Sequence, residues 1–161
     1  MVIVQLLGGL GNQMFQYALG RQLAKLNDAE LKLDTSILLD WRVGKHAVNR
    51  NFDLDIFTLK PDFATKKEIA PYHTALMTIP QKLVFRIQTK LLGNPGIQER
   101  QFHFDSSVLN LRGNIYLSGT WQSYRYFEQV EELIRADFEF IVPLSAHVME
   151  LLEKIKQSSL V

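Results

Sequence analysis

The residues of this sequence whose types and spacing could do chemistry stand near its start, at Gly8-Gly9-Leu10-Gly11-Asn12-Gln13, and the chemistry is the holding of an anion. Glycines let a ligand approach the backbone and supply turn conformations closed to other residues. Where a helix begins just after such a turn, its unbonded N–H groups and its dipole favour negative charge. Asn12 stands where an N-cap belongs, its side-chain oxygen able to accept from an early N–H. Gly9-Leu10-Gly11 opens a G-x-G-x-x-G dinucleotide fingerprint, but Met14 takes the third glycine's place, and no G-x-x-x-x-G-K-[ST] phosphate loop occurs. On spacing alone, an anion cradle and a tight strand-to-helix turn with positive φ fit equally well.

Other candidates lie further on. Asp34 follows an apolar alternation, near where a dinucleotide-binding fold places its ribose-binding acid; Asp34-Thr35-Ser36 also suits a helix cap or turn. Asp53 and Asp55 spell D-x-D within the alternating Phe52–Phe57, which would set both carboxylates on one face of a strand. Two such groups can hold a hard cation, but the spacing is common by chance, and a solvent-facing edge is the reading kept. The polar stretch 41–51, with Trp41, Arg42, Lys45, His46 and Arg50, reads as a loop that could touch a sugar or simply be solvated. Trp121 and Gln122 follow a strand, where an indole could stack on a sugar and an amide bond its hydroxyls. A buried indole with a turn amide fits the same residues. No residue stands out as a general base; Asp34, Asp53, Asp55 and Glu99 are unranked candidates.

The elements that must position these residues follow from periodicity. Val2–Leu7 is an apolar run suited to a strand buried on both faces. A helical period then puts Met14, Phe15, Ala18, Leu19, Leu23 and Leu26 on one side. Residues 29–33 and 114–118 alternate as strands, and 102–105 and 137–142 are extended. Pro80 to Gly93 forms a helix with a basic stripe of Lys82, Arg86 and Lys90, which could lie on an anionic membrane but suits a solvated surface helix better. Ser123 can cap a helix that buries Phe127, Val130, Leu133 and Ile134, and Ser145 one that runs to about Lys156. Strands alternating with helices imply an α/β fold with a mainly parallel sheet, organised as one domain over residues 1–161.

Composition excludes several classes. With 47% hydrophobic and 22% charged residues the chain is globular, and a formal charge of +1 without a basic block argues against nucleic acid. The absence of cysteine rules out disulfides and thiolate metal sites, and suits a reducing compartment. Gly8 and Gly9 interrupt the first apolar run too early for a signal peptide, and no apolar stretch is long enough to span a bilayer.

As literal sequence, Gly8-Gly9-Leu10-Gly11-Asn12-Gln13-Met14-Phe15-Gln16-Tyr17-Ala18 resembles the N-terminal signature of the alpha-1,2-fucosyltransferases, glycosyltransferase family eleven. Tyr116-Leu117-Ser118-Gly119-Thr120-Trp121-Gln122-Ser123 resembles a second motif of that family, and the segments 51–57 and 132–140 fit it in order. The family's His-x-Arg-Arg-x-Asp block, which opens its nucleotide-sugar half, does not occur. The resemblance therefore implies a Rossmann-like lobe, the N-terminal half of a two-lobed GT-B-like glycosyltransferase, with the C-terminal lobe missing and Ser158–Val161 as the start of the strand into it. It implies transfer of L-fucose from GDP-fucose to a galactose 2-hydroxyl of a galactose-terminated glycan, with inversion and without a metal or other cofactor. Gly9, Leu10, Gly11, Asn12 and Gln13 would line the diphosphate cleft, and Trp121 and Gln122 would contact the acceptor. It further implies a bacterial cytoplasmic enzyme, at most peripheral to the inner membrane, and an isolated chain that does not transfer fucose. Two other classes are weighed beside it: a dinucleotide-binding module resting on Gly9, Gly11 and Asp34, and a non-catalytic membrane-surface or interaction domain resting on the basic helix.

Overall fold

A computed structural model describes residues 1–38, 50–72 and 96–157. Trp41, Arg42, Lys45 and His46, the helix expected over 80–93, and Ser158–Val161 lie outside the described residues.

Four parallel strands form one sheet in the order β2-β1-β4-β3, where β1 is Val2–Gln5, β2 Leu31–Asp34, β3 Ile97–Gln98 and β4 Ile115–Ser118. β1 lies inside the sheet, Val2 facing Leu31 on one side and Ile115 on the other, and all of it is buried, as its unbroken apolar run requires. The expected α/β architecture with a parallel sheet is therefore the observed one. Helix α1, Leu10–Asn27, returns the chain from β1 to β2. Asp28, at φ 47°, closes α1 in the left-handed region and donates its N–H to the Lys25 carbonyl. Val2, Val4, Ile115 and Leu117 pack toward α1 residues Leu19 and Leu23. Ile3 and Tyr116, of opposite parity, pack with Ile69 on the other face. Helix and sheet come close together at Gly20, where a Cβ would come within 2.6 Å of Leu31 and 2.7 Å of Val4 side-chain atoms.

Four local expectations are corrected. The inward face of α1 contains the glutamines Gln13, Gln16 and Gln22 together with Tyr17, Ala18, Leu19 and Leu23, while Met14 and Phe15 are half-buried and Leu26 is exposed. Each glutamine NH₂ reaches a partner on a distant segment, which offsets the penalty of burying it, although the Gln22 Oε1 has no partner among the described residues. The stretch 52–57 is not a strand: Leu54–Ile56 is a 3₁₀ turn, so Asp53 and Asp55 do not share a strand face. Asp137 ends helix α3 (Glu131–Asp137; α2 being Lys66–Ile69) instead of starting a strand, and an antiparallel bridge joins Phe57 to Phe140. Finally, 3₁₀ turns at Tyr124–Tyr126 and Glu128–Val130 lead into α3, and the Ser123 side chain caps neither. The last helix, α4, spans Ala146–Gln157, with the Ser145 hydroxyl accepting from the Val148 N–H at 3.4 Å.

Candidate functional site

The carboxyl ends of β1 and β4 lie side by side, and the chain departs from β1 in one direction to β2 and pairs in the other with β4. In open α/β sheets this is the crevice where ligands bind. Two loops form it: residues 6–9 after β1 and 119–123 after β4.

In the first loop Gly8 takes φ 78°, a conformation costly for a residue with a Cβ, and a Cβ there would also collide with the Asn12 amide. Gly9, extended at φ −85° and ψ −175°, is the N-cap residue, and the helix begins at Leu10. Asn12 is thus the third residue of the helix and not its cap. With Gly9 in the cap position, the N–H groups of Leu10, Gly11 and Asn12 make no hydrogen bond among the described residues. They are unbonded donors at the start of the helix, beside the glycine turn. A Cβ at Gly11 would meet nothing within 4 Å, so this turn is open on its outer side.

The second loop is strained and strapped. Trp121 has φ 55°, rare for a bulky residue, and the Glu99 carboxylate accepts from the N–H groups of Thr120 at 2.6 Å and Trp121 at 3.1 Å and from the Thr120 hydroxyl at 2.9 Å. The Trp121 indole is 2% exposed, its ring edge-on to Tyr126 at 5.8 Å, and its Nε1 has no partner among the described residues. A sugar has no open indole face to stack on here, and the alternative reading of Trp121, a buried indole, is the one observed. Gln122 is exposed and donates through Nε2 to the Asn12 Oδ1 at 2.6 Å, so the residues expected to touch donor and acceptor meet across the crevice.

Two buried glutamines hold these loops. Gln16 accepts from the Leu7 N–H at 3.1 Å and donates to the carbonyls of Leu7 at 3.2 Å and Gly119 at 2.9 Å. Gln13, 0% exposed, donates to the carbonyls of Gly8 at 3.0 Å and Asn51 at 2.9 Å and accepts from the Asp53 N–H at 2.9 Å. Both ends of the Gln13 amide are spent on protein groups, so it does not face the cleft as expected. Arg50 was legible only as part of a polar loop. The structure sets its guanidinium over the glycine turn, Nη1 lying 3.8 Å from where a Gly9 Cβ would be. The signal for the buried pair was two amides at i and i+3 within an apolar helical period.

Beside the crevice, a groove of about 590 Å³ runs along α1 from Gly11 past Met14 and Phe15, walled by Tyr124, Phe127 and Glu131. Asp34 does not reach the surface. It is 1% exposed, accepting from the Tyr116 hydroxyl at 2.7 Å and the Ser36 N–H at 2.8 Å, and it is closed to a ribose. Burial, reinforced by Asp34, pushes the Tyr116 hydroxyl well above the usual phenol range. Among the described residues, no group of three or more histidine or acidic side chains converges as a metal site, and no helix is long and apolar enough to cross a membrane.

The chain is similar to the alpha-1,2-colitosyltransferase of Escherichia coli. The two are 29% identical over 140 residues, an alignment that takes in 85% of this chain and 44% of the relative. The chain thus spans less than half the length of that relative. No protein-family model and no solved structure matches it. The matched stretch has to include most of the sheet, because 85% coverage of the chain cannot leave out both crevice loops and the strands that carry them.

Proposed function

We propose that this chain forms one side of the active-site cleft of an alpha-1,2-glycosyltransferase that moves L-fucose from GDP-fucose to the 2-hydroxyl of a galactose-terminated acceptor, with inversion. The observation that carries the reading is the set of N–H groups at Leu10, Gly11 and Asn12, unbonded among the described residues and placed at the carboxyl edge of β1 directly across from the β4 loop. Similarity to an alpha-1,2-colitosyltransferase supports sugar transfer as the use of that cradle, and makes colitose the competing donor sugar.

In such a transfer the acceptor oxygen attacks the anomeric carbon from the face opposite the diphosphate. The new C–O bond forms as the old one breaks, the bonding pair leaves with the diphosphate, and the hydroxyl proton passes to a base. Negative charge grows on the departing oxygen, so donors already aimed there stabilise the transition state more than the ground state. The α1 N-terminus supplies such donors without reorganisation. Gln122, exposed on the facing loop, is the acceptor-side contact, while Trp121 shapes that loop from within. No metal takes part in this reading.

Titration of the isotope-labelled chain, followed by amide NMR, tests it. GDP-fucose is expected to shift the Gly9, Gly11 and Asn12 signals saturably, and NAD to leave them unmoved. Saturable NAD binding with no response to GDP-fucose would overturn the proposal in favour of a dinucleotide module.

A further inference from the structure

We infer that Arg50 supplies positive charge to the donor's diphosphate at the glycine turn, and that Gln13 is the positioning residue that sets it there. The inference rests on the proposed function and adds two roles to it.

The position of Arg50 is the reverse of what stability alone selects. Helix N-termini favour acidic side chains and disfavour cations. The first turn of α1 carries no acidic residue, and a guanidinium stands over it instead, with Nη1 3.8 Å from the Cβ position of Gly9. Arg50 makes no ion pair or hydrogen bond among the described residues that would hold it there for another reason. The guanidinium stands beside the cap residue of that helix, and a diphosphate held at the helix start would satisfy both positive features. Its oxygens would accept from the backbone N–H groups on one side and from the planar guanidinium fork on the other. Glycine at position 9 places no side chain beside the guanidinium.

Gln13 fixes the geometry. Its side chain is fully buried and joins the glycine turn, through the Gly8 carbonyl at 3.0 Å, to the segment just after Arg50, through the Asn51 carbonyl at 2.9 Å and the Asp53 N–H at 2.9 Å. The amide cannot be reversed without setting its oxygen against two carbonyls and its NH₂ against an N–H. One side chain therefore ties the backbone next to Arg50 to the turn. It acts on the ligand only through the placement of Arg50 against the turn, since neither end of its amide is open to the cleft.

The test is a titration of the full 161-residue chain with inorganic pyrophosphate, read from the Gly9, Gly11 and Asn12 amides. Wild type is expected to saturate. Arg50→Gln, at an exposed site with no bond to lose among the described residues, is expected to weaken binding about tenfold, equivalent to about 1.4 kcal/mol, and Arg50→Lys to recover part of it. Gln13→Met, with its melting temperature recorded alongside, is expected to weaken binding to a similar extent. The double variant Gln13→Met/Arg50→Gln should bind no worse than Arg50→Gln alone, because the two act through one contact. Unchanged affinity in Arg50→Gln, with the loop amides still responding, would overturn this inference and leave the proposed function standing. Additive losses in the double variant would overturn the role given to Gln13. No saturable shift in the wild-type chain would overturn the inference, and a matching failure with GDP-fucose would take the proposed function with it.

Discussion

The Gln16 Nε2 donates to the Gly119 carbonyl at 2.9 Å, joining a residue of the first helix to a loop 103 positions away. The same side chain holds both the N–H and the carbonyl of Leu7, so one buried amide fixes the two loops that make the crevice. The contact joins the two loops from beneath, adding to the Glu99 strap and the Gln122–Asn12 hydrogen bond.

Replacing Gln16 by Leu should therefore be disproportionately damaging for a change of similar size. It leaves buried backbone groups on both loops unpaired, at about 1–3 kcal/mol for each that water cannot reach. Urea denaturation should show a loss of about 2–4 kcal/mol on that basis, and donor binding should weaken even in chains that remain folded. A loss below about 0.5 kcal/mol, the range of ordinary surface changes, would show that the bridge is not holding the loops.

Two alanine substitutions three residues apart should have opposite effects on stability. Gly8→Ala forces a Cβ onto a residue at φ 78° and into the Asn12 amide, and should cost more than about 1 kcal/mol. Gly11→Ala adds a methyl inside the first helical turn, where nothing stands within 4 Å, and should stabilise the chain by about 0.5–1 kcal/mol. If the turn cradles a diphosphate, Gly11→Ala should still weaken GDP-fucose binding. A gain in melting temperature with loss of binding is the expected signature.

At alkaline pH, Tyr17 and Tyr116 set the direction. Burial raises both hydroxyls above the ordinary 10.0, with Asp137 adding to the shift at Tyr17, where the carboxylate accepts at 2.9 Å, and Asp34 adding to it at Tyr116. A raised folded value means that the folded state holds the proton longer than the unfolded one. This contribution to stability is complete below pH 10 and is lost as pH rises beyond it. Thermal melts should fall from about pH 10 upward by this linkage, and less steeply in Tyr17→Phe.

At acid pH the relevant group is Glu68. Its hydrogen bond from Lys32 at 2.8 Å, followed by those from the Thr65 N–H and hydroxyl, holds its carboxyl down at about 2 against an ordinary 4.5. A depressed folded value contributes stability above the unfolded pKa that is lost as pH falls through the folded one. Stability should therefore decline between pH 4.5 and about 2, and Glu68→Gln should flatten that part of the profile. An identical acid limb in the variant would show that the capping box of α2 gains nothing from this charge.

Part of the candidate site was legible in the residues. A turn between strand and helix follows from three glycines after an apolar run, because glycine reaches positive φ without a steric penalty. The crevice at the ends of β1 and β4 follows from parallel strands joined by helices. Legibility failed where a polar or aromatic side chain had two environments open to it. Trp121 could stack on a sugar or be buried, and burial won because Tyr126 covers one edge and the Glu99 carboxylate holds the turn that points the ring inward. Asp34 could meet a ribose or be buried, and the Tyr116 hydroxyl settled it from β4, on the far side of β1.

The sequence by itself determined the strand-turn-helix opening, the α/β class and the parallel sheet. These depend on hydrophobic period and turn chemistry, which are properties of neighbours along the chain. Only the tertiary structure decided which face of α1 turns inward, that Gln13 and Gln16 belong there, that Asn12 meets Gln122 instead of capping the helix, and that Arg50 stands over Gly9. The reason is the energetics of polar burial. A buried amide is unfavourable until a partner satisfies it, and the partners here lie 38 and 103 residues away, beyond the reach of any local pattern.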